Sequence, residues 1–277
     1  MANIAAADVN KLRLQTGVGM MDCKNALVEA NGDFEVATDI LRKKGQKVAS
    51  KRADRDAGEG VVIAKTDNSG TFGALIMLNC ETDFVAKNAE FVDLSAKILD
   101  LALSSKPKTK EDLVNLKLDA RTVQEHITDM IGKTGEKMGL GEYQFIEAPL
   151  VVSYIHQGSK LSTLVGLNIG DNKDLYQIGR EVAMQIAAMS PVALNKDDVD
   201  AKIIEKEIEI GKDQARQEGK PEEMLEKIAL GKLNKFFKEN TLLNQDFIRD
   251  PKVTVQQYLT SINKDLTVTS FKRVSLS

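Results

Sequence analysis

The sequence predicts an α+β protein. A small helical module comes first, then two related units of β-hairpin plus helix, with an antiparallel helical hairpin inserted late in the chain. Three observations carry this prediction. Apolar residues recur at helical spacing between strong turn signals over residues 1–52. A strand–turn–strand–helix order then occurs twice. Finally, residues 197–238 are helical and highly charged around a Gly–Pro break.

The first module reads as three short helices. Val9, Leu12 and Leu14 mark the first, which stops at Thr16-Gly17. Cys23, Ala26, Leu27 and Ala30 mark the second, closed by Asn31-Gly32. Asp33 is a fitting N-cap for the third, whose buried side carries Phe34, Val36, Ala37, Ile40 and Leu41. The basic segment that follows, Lys43-Lys44-Gly45-Gln46-Lys47 through Lys51-Arg52, reads as a linker.

Past Gly60, residues 61–65 and 71–79 are β-rich and flank the turn cluster Asp67-Asn68-Ser69-Gly70. A helix is expected over 84–103, with Phe91, Leu94, Ile98 and Leu101 in one apolar row and Val85, Val92 and Leu99 in another. Residues 150–155, the turn at Gly158-Ser159, residues 160–168 and a helix over about 174–189 repeat this order, and Ala74–Asn79 aligns with Thr163–Asn168. A hairpin and one helix bury a sheet poorly, whereas two copies side by side cover each other. Helical patterns dominate 106–147. In 197–238, one segment carries Ile203, Ile204, Ile208 and Ile210, and the next Met224, Leu225, Ile228, Leu230 and Leu233. Glu218-Gly219-Lys220-Pro221 separates them. They read as a helical hairpin, protruding or lying flat on the globule. Residues 268–274 suit a last edge strand.

Composition narrows the function. The chain has 277 residues, enough for several cores, and 38 basic against 41 acidic side chains, without the basic field of a dedicated nucleic-acid binder. No apolar stretch reaches the roughly 20 residues that span a bilayer, and Met1-Ala2-Asn3-Ile4 lacks the pattern of a signal peptide. Cys23 and Cys80 lie far apart and read as reduced thiols, with no metal-ligand cluster. The two histidines, His126 and His156, neighbour no nucleophile motif, which argues against an enzyme.

The most informative stretch is Cys80-Glu81-Thr82-Asp83-Phe84-Val85-Ala86-Lys87-Asn88, which puts an acid and a large aromatic at a strand-to-helix turn. On pattern alone, Asp83 could cap the helix and Phe84 pack inward, or Phe84 could be an exposed wedge. With Leu12-Arg13 and Thr16-Gly17-Val18-Gly19-Met20-Met21-Asp22-Cys23-Lys24 upstream, this stretch resembles bacterial-type elongation factor Ts, the exchange factor family that serves elongation factor Tu.

The resemblance implies a ubiquitin-associated (UBA)-like module at 1–52, a core N-subdomain at 53–147 and a core C-subdomain at 148–277, with a coiled-coil hairpin inserted at 197–238. It implies that Thr82, Asp83, Phe84 and Val85 displace Mg²⁺ from elongation factor Tu. Asp83 and Phe84 would be the working pair, and Thr82 and Val85 would shape the turn. Arg13, Val18, Met20, Met21 and His156 would contact that partner in its GDP-bound and nucleotide-free forms, and 184–191 would support the same surface. Exchange would need no covalent catalysis and no cofactor of its own, in a cytoplasmic protein without direct nucleic-acid or membrane contact. A homo-oligomer through the hairpin stays open. Some members carry a further C-terminal helix that Phe271–Ser277 does not provide, so binding through that element is expected to be absent. Two rivals remain: an adaptor or chaperone using the helical module and hairpin, and a hydrolase built on Asp83 and His156.

Overall fold

The computed structural model describes residues 4–170 and 174–276. Met1–Asn3, part of the segment read as lacking a leader, and Ser277 lie outside them. The class is mixed helix and sheet. Helices α1 (Ala6–Thr16), α2 (Met20–Glu29) and α3 (Phe34–Lys51) close on Leu12, Cys23, Ala26, Leu27, Ala37 and Leu41. The Asp33 side chain caps α3, accepting from the backbone N–H groups of Glu35 and Val36 at 2.8 and 3.0 Å. Leu14 and Val36, expected inside, point to solvent. Each falls off the buried stripe.

Strands β1 (Glu59–Thr66) and β2 (Phe72–Cys80) form an antiparallel hairpin. The expected helix over 84–103 is two helices, α4 (Asp83–Ala86) and α5 (Ala89–Ser105), because Asn88 caps α5 by accepting from Glu90 N–H at 2.8 Å. Then come α6 (Lys110–Asn115), the short strands β3 (Lys117–Leu118) and β4 (Arg121–Thr122), and α7 (Val123–Thr134). Strand β5 (Met138–Glu147) follows, in a stretch expected to be helical. It pairs along the whole of β2, so the first sheet has the order β1-β2-β5.

The next hairpin, β6 (Leu150–Ile155) and β7 (Leu161–Leu167), leads to α8 (Asp174–Met189). After it come α9 (Ala201–Gln217), α10 (Glu222–Asn240), the pair β8 (Asp246–Phe247) and β9 (Asp250–Thr254), α11 (Val255–Ile262) and β10 (Val268–Ser275). The second sheet has the order β6-β7-β10, with β10 at one edge. Helices α9 and α10 pack on each other. The Gly211 Cα–H faces Ala229 so closely that a Cβ would lie 3.1 Å from its Cα. The connection turns at Gly219, whose φ of 74° suits glycine.

The two sheets pack face to face. Val62 and Ala64 of β1, Leu75 of β2 and Ile146 of β5 meet Val151 of β6 and Leu164 of β7. Val61, Ala74, Ile76 and Leu78 face the other way, onto α5 and α7. Strand β2 is therefore covered on both sides, which explains its unbroken apolar run. The β6–β7 turn covers the free edge of β1, where Val62 N–H donates to Ser159 O at 2.7 Å and Ser162 Oγ donates to Val62 O at 2.7 Å.

The segment read as a linker is the second half of α3, and it docks on α7. Gly45 and Gly132 face each other, so a Cβ on Gly45 would stand 3.3 Å from Thr128 O and 3.4 Å from Gly132 Cα. Glycine here is a contact residue and not a helix breaker. Just beyond α3, Arg52 and Arg55 reach the Glu81 carboxylate at 2.9 and 3.2 Å. Lys137 Nζ donates to the carbonyls of Ala53 and Arg55, both at 2.6 Å.

Gly45→Val should force α3 off α7 and cost about 1–3 kcal/mol, read as a lower urea midpoint. A second expectation concerns Glu81, whose carboxyl is held down from 4.5 to about 2 by the Lys137 backbone N–H, then by Arg52 and Arg55. A depressed carboxylate pKa stabilises the fold above the unfolded value and loses that contribution as pH falls through the folded one. The stability gap between the natural protein and Glu81→Gln should be full at neutral pH and close between pH 4.5 and about 2.

Candidate functional site

Residues 80–88 form a corner between β2 and α5. Cys80 ends β2, fully buried, and its Sγ–H donates to Thr82 O at 3.2 Å. Burial, and then the charge of Glu136, push this thiol up to about 12, so it is a structural hydrophobe and not a nucleophile. Thr82 is the N-cap of α4, with its Oγ1 accepting from Val85 N–H at 3.4 Å. Val85 and Ala86 are buried beneath the turn. They leave Asp83 and Phe84 on its outer side.

Phe84 is 83% exposed, more than any other large apolar side chain among the described residues. The inward-packing alternative is therefore excluded. Asp83 does not cap α4; it lies in the first turn and forms a 2.7 Å ion pair with Lys87. The Lys87 hydrogen bond and charge, with a further contribution from Lys160, hold the Asp83 carboxyl below the usual range, so it is an anion at neutral pH. Lys160 also bridges to Glu59 at 3.0 Å, which brings the second hairpin turn close to the corner.

His156 sits on that turn, exposed, its Nδ1 sharing a 2.9 Å hydrogen bond with Tyr154 OH. Asp83 pairs with Lys87 and His156 with Tyr154, so these two do not form an acid–base couple. In the helical module, Arg13, Met20 and Met21 are exposed around the Gly17 turn, Met21 at 64%. Gly17 closes α1 with φ 69°, donating to Arg13 O at 2.7 Å. Val18 differs from the expectation of a contact residue. It is only 9% exposed and belongs to the three-helix core. Leu14, assigned to that core, is instead 79% exposed on the same stretch as Arg13.

Sequence reasoning also missed the groups behind the corner. Thr82 donates twice to Glu136, from N–H to Oε2 at 3.1 Å and from Oγ1 to Oε1 at 2.7 Å. Glu81 accepts from the Lys137 backbone N–H at 2.6 Å. Their partners lie more than 50 residues away in sequence. A separate cleft of about 350 Å³ lies between the helical module and α5 and α7. Its charges are paired within the wall, as Lys133–Glu90 at 2.9 Å, Lys97–Asp93 at 2.8 Å and Arg121–Asp129.

Comparison with known proteins shows the family. The family model described as Elongation factor TS matches residues 81–277. The elongation factor Ts of Cytophaga hutchinsonii is 55% identical over 278 aligned positions, covering 100% of both chains. That of Amoebophilus asiaticus is 54% identical over 98% of both. That of Porphyromonas gingivalis is 52% identical over 99% of this chain and 98% of its own. With likeness of this extent, and an exposed aromatic beside an acid at a capped corner, the chain belongs to the elongation factor Ts family.

Proposed function

We infer that this protein is the guanine-nucleotide exchange factor for elongation factor Tu in translation elongation. It binds the GDP-bound partner, dislodges Mg²⁺ and promotes GDP release so that GTP can enter. Phe84 carries the structural side of this reading: an aromatic ring 83% exposed on a turn whose following residues, Val85 and Ala86, are buried. Leaving such a ring in water forgoes about 1.5–3 kcal/mol of burial, which a partner's pocket can recover.

The roles within the corner follow from charge and shape. Mg²⁺ offsets much of the phosphate charge and bridges it to protein. Phe84, inserted beside the partner's nucleotide pocket, shifts the elements that hold the ion and phosphates. Asp83 brings a carboxylate that coexists poorly with a diphosphate. Its bridge to Lys87 is exposed and screened by water, so contact can exchange it for another partner. Thr82 and Val85 hold the turn. Nanomolar nucleotide binding is worth about 12 kcal/mol, so several decades of acceleration require that the factor stabilise the nucleotide-free partner. Reciprocity then makes nucleotide expel the factor by the same ratio.

Arg13, Met20 and Met21 supply a second contact, deformable because methionine is unbranched. Val18 supports it from the core. His156, braced by Tyr154, offers a third near Lys160. Residues 1–52 act as a UBA-like module, 53–147 and 148–277 as related core subdomains, and 197–238 as the inserted coiled coil. Exposed Met224 and Leu230 on that hairpin are where a second copy would meet it. The setting is cytoplasmic, with no cofactor of the protein's own, covalent catalysis, nucleic acid or membrane contact in the cycle. The adaptor alternative requires binding that leaves nucleotide affinity unchanged, and nothing favours it.

Stopped-flow release of fluorescent GDP from elongation factor Tu tests the corner. Asp83→Ala with Phe84→Ala should lower the release rate at saturating factor by about tenfold or more, about 1.4 kcal/mol of barrier per decade, while binding to nucleotide-free partner stays within a few fold. Natural release rates in that variant would refute the wedge. Met20→Ser with Met21→Ser should act in the opposite sense, raising the half-saturating factor concentration more than it lowers the maximal rate.

A further inference from the structure

Resting on the reading that Asp83 and Phe84 act at the partner's nucleotide site, we propose that Glu136, with Glu81 beside it, is a positioning residue for exchange. Crossed carboxylate-to-backbone bonds lock Thr82 and so present Asp83 and Phe84 in one conformation.

The geometry is reciprocal. Residues 81–82 and 136–137 each contribute one carboxylate and one backbone N–H. Glu136 takes the N–H of Thr82 at 3.1 Å, and Glu81 takes the N–H of Lys137 at 2.6 Å. Hydrogen bonds to ionised acceptors are roughly twice as strong as neutral ones. Glu136 does more than Glu81, because its second oxygen accepts from Thr82 Oγ1 at 2.7 Å. That bond fixes the hydroxyl as a donor to Glu136 and leaves its lone pairs for Val85 N–H. Cys80 Sγ holds the Thr82 carbonyl from the other side. The N–H, hydroxyl and carbonyl of Thr82 are thereby all committed.

The corner needs this. Helix α4 has only four residues, far below the length at which a helix sustains itself. Among the described residues Phe84 has no ring or cation partner to hold it, so its direction comes from the backbone alone. A reacting geometry loses roughly a hundredfold for displacements near 1 Å. Glu81 adds a second consequence. Because it also receives Arg52 and Arg55, the end of α3 is fastened to the residue next to Thr82.

Glu136→Ala should lower the maximal rate of GDP release from elongation factor Tu by roughly tenfold, with the half-saturating factor concentration changed less than about threefold. Glu136→Gln should recover most of that loss, since its amide oxygen can accept from Thr82 N–H while its NH₂ donates to Thr82 Oγ1. In the Asp83→Ala, Phe84→Ala background, adding Glu136→Ala should change the rate by less than about twofold, because nothing remains to be positioned. Should the alanine variant not fold, Glu136→Asp keeps the charge, withdraws it by one methylene, and should give the same fall. Natural maximal rates in a folded Glu136→Ala or Glu136→Asp, with the Asp83/Phe84 variant slow, would overturn the clamp alone. An additive loss in the triple variant would make Glu136 merely structural and overturn it too. Natural rates in the Asp83/Phe84 variant would overturn both the clamp and the reading beneath it.

Discussion

Thr82 is held by a carboxylate from a distant part of the chain, and the shape of the corner depends on that hold. An aromatic side chain 83% exposed contributes nothing to the fold that displays it. Left to itself it would sample rotamers and local backbone states, and each residue ordered on docking would cost about 1–2 kcal/mol in backbone entropy. The bonds from Thr82 to Glu136 meet that cost before the partner arrives. They are paired with the bond from Lys137 to Glu81, so the turn before α4 and the joint before β5 support each other. Buried Val85 and Ala86 complete the base. The exposed pair then stands on a scaffold whose own polar groups are satisfied.

Charge is distributed in the same spirit. Glu81 is nearly enclosed and surrounded by donors, and its carboxyl is held down to about 2. Asp83, two residues on, is open to solvent and has one flexible lysine as its ion-pair partner. A partly buried carboxylate bound by several donors at once is costly to strip of them. An ion pair exposed to water is cheap to exchange. The first therefore suits a fastening and the second a group that must change partners during binding. Adjacent acids in one motif thus take separate tasks from their surroundings, not from their chemistry.

Much of this was legible in the sequence, and the failures have specific causes. The three-helix turn signals, the two hairpins and the break at Gly219 are local, and local chemistry declares them. Strand β5 was missed because Gly139, Gly141 and Glu142 dilute its apolar alternation; its identity comes from pairing along β2. The end of α3 was taken for a linker because it reads as a run of basic residues. What docks it is the contact of Gly45 with Gly132, which lies far away in sequence. Leu14 was placed in the core and is exposed, since a periodic pattern says that a face exists without saying where its edge falls. The acid and aromatic at 83 and 84 could be read, but whether the ring faced in or out could not. The carboxylate behind Thr82 gives no local signal at all.

Docking of α3 on α7 joins these observations to the energetics of exchange. If residues 43–52 were a flexible linker, the module carrying Met20 and Met21 would raise only the effective concentration of the corner. Affinity would improve, and the barrier to nucleotide release would not. A stiff connection behaves differently. Binding energy gained at a remote contact can be spent on distortion at the reacting centre only if the two contacts cannot relax independently. The Gly45–Gly132 approach and the Arg52 and Arg55 bonds to Glu81 supply that stiffness, and they end one residue from Thr82. On the proposed reading, the helical module would serve as the grip against which Phe84 is driven, and helix docking would be part of the exchange chemistry.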